Sequence, residues 1–206
     1  MKRALLVIVP LLLAAQCGGG EPEPVDEPPT GPNWDLGEPV SVKADLKMKR
    51  WRQIHLDLQG ALEINADSVC NETGIYDCRI LHNVPLGGIN IENGLFRPVE
   101  GLAVASGLAV ERFVLSACAE RLVLDLEAEE PLIFTLDADG TSVEREAADA
   151  LVTDLYRRLL ARDPLPEELD AHHAMHAGIV ADGGLNLEWA WMACFAIGTS
   201  TEALLY

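Results

Sequence analysis

The sequence predicts a mainly α protein: a single compact helical domain of about five helices, with a loop-rich, disulfide-containing N-terminal part. Three observations carry this prediction. Apolar residues recur at helical spacing over long stretches, apolar side chains make up 49% of the chain, and aromatic side chains make up only 5%. The spacing is typical of helices, and the composition requires a core built mainly from Leu, Val, Ile and Ala.

The most regular helix is predicted over 141–161, where apolar residues repeat every four positions. Its apolar stripe consists of Val143, Ala147, Leu151, Leu155 and Leu159, with Ala148, Val152, Tyr156 and Leu160 beside them. Thr141 and Glu144 have the spacing of a capping box, which predicts that the helix begins there.

The other helices are predicted over 44–62, 102–124, 166–177 and 187–197, the last with a continuation toward 205. The 102–124 segment is apolar on nearly all sides, which indicates a buried central helix. Residues 65–101 are rich in turn signals, and 131–136 has the composition of a short strand.

The N-terminus has the pattern of an export signal. Lys2 and Arg3 precede an apolar run over 4–15, which is too short to span a bilayer, since spanning takes about 20 residues. No later segment is long and apolar enough to span, so we expect the mature domain to be soluble.

The segment Leu-Ala-Ala-Gln-Cys at 13–17 resembles the lipobox of bacterial lipoproteins, in which the Cys is lipidated and becomes the new N-terminus. The resemblance implies lipidation of Cys17 and a place in the cell envelope, and Gly18, which is not Asp, favours the outer membrane over the inner. Gln16 departs from the pattern, because Gly or Ala usually precedes the Cys. The alternative is an ordinary secretory signal followed by a chance Cys.

Residues 17–42 form a predicted tether. They are rich in Gly, Pro and Glu and nearly lack apolar side chains, so they cannot offset the entropy cost of folding. Proline biases such a segment toward polyproline II, which rises about 3.1 Å per residue. The predicted organisation is therefore a signal over 1–16, a tether over 17–42 and an acidic helical domain over 43–206.

Charge limits the choice of partners. The formal net charge is −18, and removal of Lys2 and Arg3 with the signal makes the mature chain more negative still. Such a chain repels phosphates, which argues against nucleic acid as a partner. We expect attachment to a membrane through the lipid, with an envelope protein as the binding partner.

Four cysteines remain after Cys17: Cys70, Cys78, Cys118 and Cys194. An exported compartment permits disulfides, and four cysteines allow three pairings. We favour Cys70–Cys78, which closes a short loop, and Cys118–Cys194, which joins two apolar helices. The alternative for the second pair is buried free thiols.

The predicted 166–177 helix contains a candidate metal site. Glu168, His172 and His176 are spaced four residues apart and so lie on one helix face, where imidazoles one turn apart can bind Zn²⁺ or Cu²⁺. No HExxH motif supplies a general base, and an exposed acidic helix with spare histidines gives the same pattern. No motif in the sequence requires a cofactor.

A second candidate ion site partly matches a calcium loop. It comprises Thr135, Asp137, Asp139, Gly140 and Glu146. It lacks the first Asp of such loops, and a simple turn before a helix explains the same residues.

The C-terminal part resembles helical modules of unknown function in large exported bacterial proteins, often fused to cytochrome-c-type domains. Residues 156–169 (Tyr-Arg-Arg-Leu-Leu-Ala-Arg-Asp-Pro-Leu-Pro-Glu-Glu-Leu) and the ending Thr-Ser-Thr-Glu-Ala-Leu-Leu-Tyr at 199–206 carry the resemblance. It implies an exported helical module and supplies no catalytic residues. The chain contains no Cys-x-x-Cys-His for haem attachment.

Two functions remain from the sequence. The first is a non-catalytic, lipid-anchored binding or structural module of the cell envelope. The alternative is a metal-binding or redox-accessory protein that uses the histidine-rich helix.

Overall fold

A computed structural model describes residues 47–72, 76–92, 94–97 and 104–206. These residues belong to one unit, Asp45–Tyr206. The predicted signal, Cys17 and the tether over 17–42 lie outside the described residues, as does the side chain of Cys78.

The described part is mainly helical, as the sequence predicts. The elements in chain order are α1 Trp51–Leu62, β1 Asn71–Glu72, β2 Tyr76–Asp77, α2 Cys78–Leu81, α3 Val104–Glu127, α4 Arg145–Leu160, α5 Pro166–Ala181, α6 Asn186–Gly198 and α7 Thr201–Leu204. The two-residue strands β1 and β2 pair antiparallel. None of the helices in the described residues is both long enough and apolar enough to cross a membrane.

The centre of the fold is the contact between α3 and α6, with α1 packed on α3 and with α4 and α5 packed on α6. Phe113, Val114 and Trp189 are fully buried there. Gly198 allows the close approach of the two helices, because a Cβ at this position would lie 2.6 Å from Val114 Cγ1. The prediction of a buried central helix over 102–124 is therefore confirmed, and the helix extends to Glu127.

Cys118 and Cys194 form a disulfide across this contact, with their Cα atoms 6.0 Å apart. Both residues are completely buried. The predicted pairing of these two cysteines is confirmed, and buried free thiols are excluded. Cys70 is also disulfide-bonded and buried, but its pairing with Cys78 stays a prediction because the Cys78 side chain is not described.

Helix α4 buries the face predicted for it, with an offset. Leu151 and Leu155 of the predicted stripe are buried, but Ala147 is exposed and its neighbour Ala148 is buried. A strict four-residue repeat drifts around a helix of 3.6 residues per turn, so one straight stripe cannot remain buried along the whole helix. The buried stripe instead steps sideways by one residue at its N-terminal end.

The capping box predicted at Thr141 is wrong. Helix α4 begins at Arg145, and Glu144 occupies the N-cap without a side-chain cap. The residues just before it form a turn fixed by Asn186, whose Nδ2 donates to the carbonyls of Asp137 and Ser142 at 3.0 Å each. This tertiary contact decides where the helix begins.

The strand predicted over 131–136 is also wrong, because these residues form turns and irregular structure. The backbone N–H groups of Leu132, Ile133 and Phe134 donate to the carboxylate of Asp125 at 2.7, 3.1 and 3.0 Å. Donors bound in this way cannot pair with a neighbouring strand. Ile133 and Phe134 nevertheless enter the core.

The first helix is shorter than predicted, because residues 47–50 are extended and pair with the C-terminus. Lys47 and Tyr206 exchange two backbone hydrogen bonds of 3.0 Å, and the Lys49 N–H donates to the Leu204 carbonyl at 2.8 Å. The C-terminal helix does not continue to 205, since Ser200 caps a separate α7 by accepting from the Ala203 N–H. Helix α5 runs past its predicted end at 177 to Ala181.

Candidate functional site

The carboxylate of Glu168, a predicted metal ligand, is held by an arginine. Arg162 Nη1 and Nη2 donate to the two Glu168 oxygens at 2.8 and 2.7 Å, and the Leu165 N–H donates to the same carboxylate at 2.7 Å. The hydrogen bonds from Arg162 are the main reason that the pKa of Glu168 falls to about 2. At neutral pH this carboxylate is an acceptor with its lone pairs already used, which makes it a poor general base.

Arg162 also binds Glu202 on α7. Its Nε donates to Glu202 Oε1 and its Nη2 to Oε2, both at 2.8 Å. The guanidinium carbon lies 5.0 Å from the ring centroid of Tyr156 on α4. We call these four residues, Tyr156, Arg162, Glu168 and Glu202, the Arg162 clamp.

His172, the second predicted ligand, lies beside this clamp and is 8% exposed. Its ring meets the Tyr156 ring edge-on, with centroids 6.0 Å apart. Burial lowers the pKa of His172, with a smaller opposing effect from Glu168. A cavity of about 170 Å³ adjoins the clamp and is lined by Tyr156, Leu160, Arg162, Glu168, His172, Ala196, Ile197, Ser200 and Glu202.

His176, the third predicted ligand, has partners elsewhere. Its Nε2 lies 2.9 Å from Asn186 Oδ1, and its ring packs edge-on against Trp189 at 5.1 Å between centroids. His173 faces Asp149 on α4, with 2.7 Å between Nε2 and Oδ1. His172 and His173 therefore contact α4, whereas His176 contacts α6.

These contacts bear on the metal predictions. Within the described ranges, no group of three or more His, Cys, Asp or Glu side chains is placed to hold a metal ion. This applies both to the histidine-rich helix and to the calcium-like loop. In that loop Asp137 and Asp139 are exposed, and the Gly140 N–H donates to the Asp137 carbonyl in a turn. The alternative explanation, a simple turn before a helix, fits this geometry.

Helix α3 contains a buried ion pair that was not predicted from the sequence. Arg121 Nη2 donates to Asp125 Oδ1 at 2.7 Å, and both side chains are nearly inaccessible to solvent. Burial opposes ionisation of Asp125, but hydrogen bonds from Phe134, Leu132 and Ile133 outweigh it, so its pKa lies below the ordinary value. The i, i+4 spacing of Arg121 and Asp125 is the sequence signal, and it encloses the apolar residues Leu122, Val123 and Leu124.

Surface charge and surface apolarity are unevenly distributed. Acidic residues far outnumber basic ones from residue 104 onward, whereas the two signs balance over 47–97. The part of the chain from α1 to Phe96 also exposes large apolar side chains: Leu56, Ile80, Leu81, Ile89, Ile91, Leu95 and Phe96. An apolar surface of this kind is a candidate interaction site.

No protein-family model, curated protein or solved structure shows significant similarity to this chain.

Proposed function

We propose that this chain is an exported, lipid-anchored protein of the bacterial cell envelope, whose helical domain is a non-catalytic binding or structural module. The lipobox-like Leu-Ala-Ala-Gln-Cys at 13–17 supports the anchor at Cys17. The absence of Asp after Cys17 favours the outer membrane. An envelope protein is the proposed partner of the module.

The Cys118–Cys194 disulfide is the observation that carries the proposal. Disulfides form and persist in exported compartments and are rare where thiols are kept reduced. This one lies at the centre of the core and joins the two helices on which the other helices pack. Its sequence separation of 76 residues means that the bridge closes a long loop, which destabilises the unfolded chain.

The Arg162 clamp supports a structural role for the C-terminal part. One guanidinium links the start of α5 to α7 and covers a ring of α4. The clamp lies within the two segments that resemble exported helical modules, 156–169 and 199–206. We infer that the residues of these two segments close the helical unit in this chain.

Radiolabelled palmitate tests the anchor. The wild-type protein should incorporate label and stay with membranes after a high-salt wash. Replacing Cys17 by Ser should abolish both, because it removes the thiol to which lipid is attached.

Cys118→Ser is the matched control, since it removes a cysteine that lies in the core and should leave the labelling intact. Unlabelled wild-type protein, or label that persists in Cys17→Ser, would contradict the proposed anchor.

A further inference from the structure

One face of the domain combines exposed aliphatic side chains with a groove. Leu56 on α1 and Ile80, Ile89 and Ile91 on the facing segment line a depression of about 800 Å³. Ile80 is 74% exposed and Ile91 64% exposed, so both present most of their apolar surface to solvent. We call this region, from α1 across to residues 80–91, the α1 face.

Basic side chains border the α1 face. A second depression of about 840 Å³ shares Arg52 and Leu56 with the first and is also lined by Lys49 and Arg50. Arg50 and Arg52 are exposed. Neither of these side chains forms a hydrogen bond or an ion pair with any described residue. Lys49 is neutralised by Asp57 at 2.8 Å.

Acidic residues are present on the α1 face but do not dominate it. Asp77 and Glu92 line the first groove and Asp57 the second. These three acids match the three cations Lys49, Arg50 and Arg52, whereas the surface formed from residue 104 onward is strongly acidic. An anionic surface would therefore meet less repulsion at the α1 face than at α5, which has three acidic residues and no Lys or Arg.

The point where the chain enters the domain lies at this face. Lys47 pairs with Tyr206, and Tyr206 lines the second depression together with Arg50 and Arg52. Lys47 follows Cys17 by 30 positions in the sequence (47 − 17 = 30). A lipid on Cys17 would thus keep the α1 face close to the membrane, because the tether joins the domain beside this face. The effective concentration of the face at the membrane surface would therefore be high.

We propose that the α1 face docks on the anionic phospholipid surface of the membrane that holds the lipid anchor. This proposal rests on the proposed lipidation of Cys17. The aliphatic side chains Ile80, Ile89 and Ile91 enter the headgroup region, and Arg50 and Arg52 bind lipid phosphates. Helix α5 carries three acidic residues and no Lys or Arg, so the same anionic surface repels it.

Tryptophan fluorescence of the lipidated full-length protein in vesicles tests the docking. Trp51 lines the groove, and the difference between wild type and Trp51→Phe isolates its emission from that of the other tryptophans. The vesicles contain phosphatidylethanolamine and phosphatidylglycerol with brominated acyl chains, which quench nearby indoles. We expect the Trp51 emission of the otherwise unchanged protein to be quenched. This quenching should be at least twofold weaker in the double variant Ile80→Ser/Ile91→Ser.

The matched control is Leu108→Ser/Leu165→Ser, which removes two exposed aliphatic side chains outside the α1 face and should leave the quenching unchanged. Arg50→Gln/Arg52→Gln should reduce it in phosphatidylglycerol vesicles more than in vesicles of phosphatidylcholine alone. An unquenched Trp51 component, or equal loss in both double variants, would overturn the docking. Unquenched Trp51 together with cross-links from this face to an envelope protein would assign the face to a protein partner instead.

The mass of the N-terminal peptide separates the two possible failures. An acylated Cys17 with unquenched Trp51 overturns the docking and leaves the anchor intact. An unmodified Cys17 overturns the proposed function, and the docking proposal fails with it.

Discussion

Arg162 binds two carboxylates with one guanidinium, and one of them belongs to Glu168, a predicted metal ligand. The bidentate contact uses both Glu168 oxygens, Glu202 accepts from Nε and Nη2, and Nη1 also donates to the Asp163 carbonyl. The sequence placed Glu168, His172 and His176 on one helix, and they do lie on α5. Two contacts around them could not be predicted: Glu202, which shares Arg162 with Glu168, is far along the chain, and Asn186, the partner of His176, approaches from α6.

Acidification should expose the contribution of Glu168 to stability. The pKa of this carboxyl is about 2 in the folded protein against an ordinary 4.5, so its stabilising effect is complete above pH 4.5 and is lost as the pH falls toward 2. At pH 7, Glu168→Gln should lower the free energy of unfolding by about 1 to 2 kcal/mol, measured by urea denaturation.

The difference between wild type and Glu168→Gln should shrink between pH 4.5 and pH 2. Glu167→Gln is the control, because this exposed neighbour makes no hydrogen bond or ion pair with any described residue. A difference that stays constant with pH would show that the Arg162–Glu168 contact does not stabilise the fold.

The helices that follow residue 104 were predictable because their apolar periodicity agrees with the packing they adopt. Helices α3 to α6 all lie where the repeat or the Pro and Gly signals place them, within a few residues. Two errors share one cause. At 131–136 and at Thr141, the side chains of Asp125 and Asn186 take backbone groups that local structure would have used. Apolar periodicity does not show such contacts, whether the partner is 8 residues away, as Asp125 is from Ile133, or 44 residues away, as Asn186 is from Ser142.

Helix α4 offers a test of the buried face. Leu155 is completely buried, so Leu155→Asp should lower the free energy of unfolding by at least about 4 kcal/mol, because it removes core packing and buries a charge. Arg145 lies on the exposed side and pairs with Asp170 at 2.8 Å. Arg145→Ala should cost under about 1 kcal/mol, as expected for a surface ion pair. Equal losses in chemical denaturation would mean that the face is assigned incorrectly.

At the scale of the whole molecule, the chain combines a predicted lipid anchor with a helical domain. A disulfide cross-links this domain, and its surface charge is unevenly distributed. The sequence predicted the helical class and the Cys118–Cys194 pairing, because two apolar helices of one small core must pack together. It did not predict the α1 face. The net charge indicated that the chain repels phosphates, but net charge conceals the balance of signs over 47–97.

Peptide mass mapping without reduction, on protein isolated from its native envelope, tests the central claim of export and lipid anchoring most directly. We predict an N-terminal peptide that begins at an acylated Cys17, together with linked peptides that join Cys118 to Cys194 and Cys70 to Cys78. An unmodified Cys17 still preceded by residues 1–16, or Cys118 and Cys194 recovered as free thiols, would contradict the account.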